Sequence, residues 1–538
     1  MMTILIKNGL IVDGTKKLPY KGNILIENQK IISIGNFNLL NKVDKEINAE
    51  GLVVSPGFID THSHSDLKIL EIPYNEVKAR QGITTEVLGQ DGISMAPLPM
   101  EYITPWKKNL AGLDGTSETI DWNYKTTDGY LKLMEKQGVG LNYAYLVPHG
   151  NIRMEAMGLE GVPASKNQIE VMCEITRREM EAGAYGLSTG LIYMPCAYSE
   201  TEELIEICKV VAEYDGMLVI HQRSEAGTII DSMKEVLEIG EKSGVKIHFS
   251  HFKVCGKQNW KYIDDVIELL DQAKNNGVKI SYDQYPYAAG STMLGVVLPP
   301  WAHDGGTDKL LERLKNPIQR ERMKHDIENG IHGWDNFIEF AGFDQIFVTS
   351  VQNSKNEHLI GKNLIEISEI RGTNPYDSTF DLLLEEENAV GMVDFYGLEE
   401  HVIKFLKREE QNVCTDALLS GKPHPRAYGS FPRVIGRYVR ETPILTLEEA
   451  VYKMTKKAAE AMGITNRGEL KEGMFADITI FNLDTITDVG DYVNPKQFPI
   501  GVQYLLVNGE MIIDNGDFKN NTPGKVLRKR RGISECTF

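Results

Sequence analysis

Two imidazoles stand two residues apart in Asp60-Thr61-His62-Ser63-His64, directly after the apolar run Leu52-Val53-Val54-Ser55-Pro56-Gly57-Phe58-Ile59. In extended backbone, residues two apart project to one side, so His62 and His64 can offer both rings to a single ion. A pair of surface histidines beside a turn is the alternative, since so short a motif decides nothing alone. Three more polar residues follow apolar runs in the same way: His221 after Leu218-Val219-Ile220, His251 after Ile247-His248-Phe249-Ser250, and Asp416 after Val413-Cys414-Thr415. His248 and His251 are three apart and cannot share one side of a regular strand. His251, at the end of its run and close to Lys253, is the ligand candidate; His248 is read as an interior or flanking histidine. Four imidazoles and a carboxylate suit a divalent cation, which lowers the pKa of a bound water from about 15.7 to about 7 and polarises a carbonyl. The chemistry this predicts is hydrolysis of an unactivated amide.

Residues so distant in sequence meet only on a scaffold whose strands end at one rim. Short apolar strands are expected at 53–59, 84–88, 142–147, 184–188, 218–221, 246–251, 279–283 and 412–415, alternating with amphipathic helices such as 168–182, 202–213, 229–243 and 262–275. This count and order predict an α/β fold, a (β/α)8 TIM-type barrel, whose active sites form at the C-terminal ends of the strands. Every polar residue named above falls at such an end. Residues 3–50 read as short strands and turns, and 473–481 and 503–509 as strands completing the same small β domain from the far end of the chain. The division expected is 1–52 for the N-terminal part of that discontinuous domain, 53–470 for the barrel, and 471–538 for its C-terminal part and tail. The pattern lapses at about 293–350, around Pro299-Pro300 and Gly305-Gly306, which reads as an insertion over the barrel mouth with a lid as its functional version.

Composition sets the outer bounds. The 538 residues carry 58 Lys+Arg against 76 Asp+Glu, a formal charge of −18 spread along the chain, which argues against nucleic acid or an anionic membrane as partner. The basic stretch from Lys525 to Arg531 breaks this trend and reads as a solvated tail. Six cysteines (Cys173, Cys196, Cys208, Cys255, Cys414, Cys536) show no C-x-x-C pairing, and neither a signal peptide nor a membrane span is apparent, so a cytoplasmic protein with reduced thiols is expected.

The chain resembles the amidohydrolase superfamily and, within it, the N-acyl-D-amino-acid deacylases (D-aminoacylases). The matching stretches are Ser55-Pro56-Gly57-Phe58-Ile59-Asp60-Thr61-His62-Ser63-His64, Gly82-Ile83-Thr84-Thr85, Gly183-Ala184-Tyr185-Gly186-Leu187-Ser188-Thr189-Gly190-Leu191-Ile192-Tyr193, Asp283-Gln284-Tyr285-Pro286-Tyr287-Ala288-Ala289-Gly290-Ser291-Thr292, and Lys422-Pro423-His424-Pro425-Arg426-Ala427-Tyr428-Gly429-Ser430-Phe431-Pro432-Arg433. The resemblance implies cleavage of N-acyl-D-amino acids to a carboxylate and a free D-amino acid, with Asp416 taking the proton of the attacking water and passing it to the leaving amine. Where the family has Gly-Asn-Cys-Gly, its cysteine a metal ligand, this chain has Gly89-Gln90-Asp91-Gly92. Asp91 is then either a harder ligand in the cysteine's place or a turn residue. The implied ligand set is His62, His64, Asp91, His221, His251 and Asp416, holding one or two divalent ions, zinc first, with manganese, cobalt or iron admitted by the carboxylate. Tyr193, Lys253, Tyr285 and Ser291 match positions that hold the substrate's α-carboxylate and supply one cation and three hydroxyls for it. His149, Arg153 and Arg426 lie near the rim without an assigned role.

Two other readings keep the barrel. A cyclic amide hydrolase of the dihydroorotase or hydantoinase kind, or a deaminase, would use the same metal site; the first often carries a bridging lysine after strand four, where this chain has Gly186-Leu187-Ser188-Thr189. A catalytically silent binding barrel is the other, disfavoured by the retained histidines. Side-chain and acyl preference, D-stereochemistry beyond resemblance, and oligomeric state are left open by the sequence.

Overall fold

The structure, a computed structural model, describes residues 2–37 and 42–529. Its centre is a ring of eight parallel strands: Phe58–Asp60, Ile83–Leu88, Asn142–Tyr145 continued by Val147–Pro148, Gly186–Gly190, Met217–His221, Lys246–Phe249, Ile280–Gln284 and Gln411–Val413. The ring closes between its last and first strands, where Asp416 N donates to His62 O at 2.9 Å and Ser63 bridges Ala417 in parallel. The fold is the expected (β/α)8 barrel. Helices such as Lys166–Glu181, Thr201–Glu213, Ile229–Ser243 and Ile263–Asn275 cover it, their apolar faces buried against the strands.

The apolar run from Val53 to Ile59, expected as one barrel strand, serves two sheets. Val53–Pro56 pairs antiparallel with Ile478–Phe481 in the small domain, and only Phe58–Asp60 belongs to the barrel. Gly57 makes the passage: a Cβ there would lie 2.2 Å from Thr84 Oγ1. Among the described residues the small sheet has nine strands drawn from both ends of the chain, running from Asp517–Phe518 through Val502–Val507 and Val53–Pro56 to Lys30–Gly35. In Tyr20–Glu27, burial of Gly22, Ile24 and Ile26 alternates with partly exposed residues, and those isoleucines pack with Ile4, Ile6, Ile478 and Ile480.

Between the seventh and eighth barrel strands the chain makes a long excursion. Ala289–Met293, Ile346–Ser350 and Gly391–Phe395 form an antiparallel sheet with Gly391–Phe395 central, flanked by helices including Thr307–Leu314, Pro317–Asn329 and Pro375–Glu385. The lapse at 293–350 is its first half; the second half has ordinary helical periodicity and so did not stand out. The basic end is not a solvated tail up to Lys529. Leu527 is buried with its N donating to Tyr143 O, and Arg528 pairs with Asp128 and Glu135 at 2.8 Å, because acidic helix residues near the N-terminal strand ends receive it. Arg530, Arg531 and Cys536 lie outside the described residues; the five described cysteines are free thiols.

Candidate active site

His62 and His64 lie just past the first barrel strand, Asp91 in a single turn after the second, His221 at the end of the fifth, His251 just past the sixth and Asp416 just past the eighth. All six are buried. Their ligand atoms gather into two overlapping sets, His62, His64, Asp91 and Asp416 in one and Asp91, His221 and His251 in the other, each within 4.8 Å. Asp91 belongs to both: Oδ2 lies 3.5 Å from His62 Nε2 and 3.4 Å from His64 Nε2, and Oδ1 lies 3.6 Å from His251 Nε2. Asp416 Oδ1 faces His64 Nε2 at 3.4 Å and His62 Nε2 at 3.7 Å.

These residues fit a divalent ion. Both ring nitrogens of His62 and Oδ1 of Asp91 are buried without a hydrogen-bond partner, a costly arrangement for polar atoms unless something binds them. Protonation shows the same need for positive charge. Burial alone would lower the His64 pKa, yet its hydrogen bonds to Asp416 and Asp91 outweigh burial and raise it to about 10. His251 is raised to about 9, burial and Lys253 opposing, Glu225, Asp416 and Asp91 prevailing. Burial instead lowers His221 to about 4. A cation would take the place of the protons that the carboxylates favour on His64 and His251.

Backbone conformation adds a feature the sequence did not announce. Asp91 (φ 55°), His251 (φ 34°) and Asp416 (φ 47°) all adopt the left-handed region uncommon for residues with side chains. Each leaves its strand by a sharp turn that aims the side chain across the rim.

A buried polar frame supports the ligands. Lys78 Nζ contacts Asp60 Oδ2 at 2.6 Å, Ser63 Oγ and Thr415 Oγ1 at 2.8 Å, and Glu86 Oε2 at 3.0 Å, tying the two strands that close the barrel. Asp283 receives His251 N at 2.5 Å and holds Thr61 Oγ1 and His248 Nε2, both at 3.0 Å. His248 therefore points into this frame, as its spacing from His251 suggested. Glu225 joins Lys253 (2.7 Å) to His251 Nδ1 (3.3 Å), and Arg426 Nη1 holds Asp416 Oδ2 at 2.8 Å.

Tyr193, Lys253, Tyr285 and Ser291 line the same cavity as His64, Asp91 and Asp416. Tyr193 Oη shares a hydrogen bond with Thr292 Oγ1 at 2.8 Å, Tyr285 Oη with Tyr396 Oη, and Ser291 Oγ donates to Met392 O at 2.8 Å. Lys253 Nζ also reaches His251 Nδ1 at 2.7 Å. Among the three rim residues without a role, Arg426 enters the cavity, whereas His149 and Arg153 are buried behind it on Glu203. Sequence reasoning missed Lys78, Glu86, Asp283, Glu225 and Arg426 as a frame. Asp283 and Arg426 lie inside recognisable motifs; Glu225, in a loop, gave no signal.

Comparison with known proteins agrees with this architecture. The Amidohydrolase family pattern matches residues 45–288 and 406–513, leaving out most of the excursion between the seventh and eighth strands. An N-acyl-D-glutamate deacylase of Alcaligenes xylosoxydans xylosoxydans is 30% identical over 534 residues, 99% of this chain and 98% of its own. A D-aminoacylase of the same organism is 29% identical over 527 residues, 98% and 97% of the two chains. The crystal structure of N-acyl-D-glutamate deacylase from Bordetella bronchiseptica, complexed with zinc and a phosphonate mimic of the tetrahedral intermediate, superposes with a TM-score of 0.83 at 30% identity, covering 98% of this chain and 99% of that one.

Proposed function

This chain belongs to the amidohydrolase family, and from that premise we propose that it hydrolyses N-acyl-D-amino acids to a carboxylate and a free D-amino acid. The observation that carries the reading is the convergence of two ligand sets on Asp91 in a cavity that also presents Lys253 and two tyrosine hydroxyls. His62, His64, Asp91 and Asp416 would hold one divalent ion and Asp91, His221 and His251 a second where two bind; zinc is the first choice, with manganese, cobalt or iron favoured more than a thiolate site would allow. When bound, the ion supplies Lewis-acid polarisation of the scissile carbonyl and a more acidic water.

The chain's own groups do the rest. Asp416 Oδ1 takes the proton of the attacking water and returns it to the leaving nitrogen, while Arg426 fixes Oδ2 and keeps the carboxylate ionised: burial would raise its pKa, but Arg426, then His251 and His62, outweigh burial and hold it well below the usual range. Lys253, Tyr193 and Tyr285 receive the α-carboxylate. Ser291 can join them by exchanging its bond to Met392 O. The cyclic-amide reading loses ground because the fourth strand ends without a lysine. We place the enzyme in the cytoplasm with small-molecule substrates; no described helix is long and apolar enough to cross a membrane.

The test is a panel of N-acetyl-D- and N-acetyl-L-amino acids with metal-loaded protein, read as free amine. D-selective release is expected; no release above background from any member would end the reading.

A further inference from the structure

The cavity has a second wall that neither the metal nor the α-carboxylate group uses. Leu113, Ile192, Phe337 and Phe340 form it, with Asp335 and Asp394 set among them. The cavity's fixed cations are already matched: Lys253 pairs with Glu225 at 2.7 Å and Arg426 with Asp416 at 2.8 Å. Asp335 meets only neutral donors, Ser224 Oγ at 2.6 Å and Glu225 N at 2.7 Å. Asp394 is 1% exposed, and its Oδ2 has no hydrogen-bond partner. Gly290, its partner on the neighbouring strand, lets the backbone approach closely, since a Cβ there would lie 2.9 Å from Asp394 Oδ1 and 2.6 Å from the Tyr396 ring.

A buried carboxylate with no cation in direct contact is costly to ionise, and a ligand that brings one relieves that cost. Burial pushes both Asp335 and Asp394 up to about 7 against the pull of Lys253, and at Asp394 of Arg426 as well, so a cation arriving in direct contact would restore ionisation.

We propose that this wall receives the substrate's side chain and that it selects a cationic one, an ammonium or guanidinium on an aliphatic stem, with Asp394 as its partner and Asp335 beside it. The inference rests on the deacylase reading above. The methylene stem of a lysine-, ornithine- or arginine-type side chain lies along Leu113, Ile192 and the two phenylalanines, as long cationic side chains do on apolar surface. An acidic side chain would meet two carboxylates and is disfavoured.

The experiment compares kcat/KM for Nα-acetyl-D-lysine, N-acetyl-D-norleucine and N-acetyl-D-glutamate in the wild type and in Asp394→Asn. Norleucine keeps the stem and removes the charge. The wild type should favour lysine over norleucine by about 10- to 100-fold, the worth of one hydrogen bond to a charged group. Glutamate should be poorest, and Asp394→Asn should bring the lysine-to-norleucine ratio toward one. Equal turnover of lysine and norleucine, or a preference for glutamate through protonated aspartates, overturns the proposal. Calorimetric titration of free D-lysine and D-norleucine into the metal-loaded protein separates the subsite from the reaction. Tighter D-lysine binding that Asp394→Asn abolishes supports the subsite even if no substrate is cleaved, while equal binding overturns it even if deacylation is found.

Discussion

Arg426 Nη1 lies 2.8 Å from Asp416 Oδ2, both residues buried, and this pair leaves only Oδ1 of the aspartate to face the histidines at 3.4 and 3.7 Å. One oxygen is thus held by a fixed cation while the other is presented to the reacting centre. Asp416→Asn should keep most of the bound metal, because three other residues complete that ligand set, yet lower kcat by about 10²–10⁴. Metal analysis beside turnover measures both; near-normal kcat would remove Asp416 from the proton path.

The same pair predicts a pH effect. Asp416 acts as a base only when ionised, and its pKa is depressed largely by Arg426 working against burial. Arg426→Met should therefore raise that pKa, so that activity is lost at a higher pH as the solution is acidified. The acid limb of the kcat/KM profile should move up while the alkaline limb stays in place. An acid limb unchanged in the variant would mean that other groups set the charge of Asp416.

Lys253 does more than its sequence position suggested. A residue that only binds the α-carboxylate would act through KM, but Lys253 also touches His251 Nδ1 at 2.7 Å and Glu225 at 2.7 Å. Removing it leaves Glu225 buried without its cation and frees a proposed ligand. Lys253→Ala should raise KM, lower kcat and weaken metal retention together, and Glu225→Gln in the same chain should recover stability without recovering KM. A pure KM effect in the single variant would confine Lys253 to substrate.

Lys78 is expected to matter for stability in the same physical sense. It is fully buried between Asp60 and Glu86 at 2.6 and 3.0 Å. Lys78→Met leaves two buried carboxylates facing each other on the first and second barrel strands, which should cost about 3–5 kcal/mol. Denaturant unfolding of the metal-free proteins reads this directly, and a loss below about 1 kcal/mol would show that the frame repacks around neutral acids.

Much of this was legible because barrel strands announce themselves as short apolar runs and each ends on a polar residue. His62, His64, His221 and Asp416 could be picked out that way; strand parity allowed only one of His248 and His251, and the place of His251 at the strand's end beside Lys253 chose it. What stayed hidden depends on contacts between distant segments. No local pattern says that Val53–Pro56 leaves the barrel for another sheet, since both halves of that run are buried and apolar alike. Nor does periodicity place Glu225, Asp394 or Lys78, whose meaning comes from the charge each finds or fails to find. The left-handed turns at Asp91, His251 and Asp416 are equally invisible, as none is a glycine.

Asp91 is where this chain departs from the deacylases it resembles, and its geometry sharpens what the replacement should do. Its two oxygens reach opposite ligand sets, Oδ2 toward His62 and His64 and Oδ1 toward His251, so a carboxylate can span two ions where a single sulfur would have to serve both. Carboxylate oxygen is a harder donor than thiolate and relaxes the preference for zinc. Protein loaded in turn with zinc, manganese, cobalt and iron should therefore still retain zinc best but by a narrower margin than a thiolate site gives, and Asp91→Cys should widen that margin. Asp91→Ala should lose metal from both sets, because it is the one residue they share. Metal stoichiometry in Asp91→Ala equal to the wild type would falsify the ligand role and reduce Asp91 to a turn residue between Gly89 and Gly92.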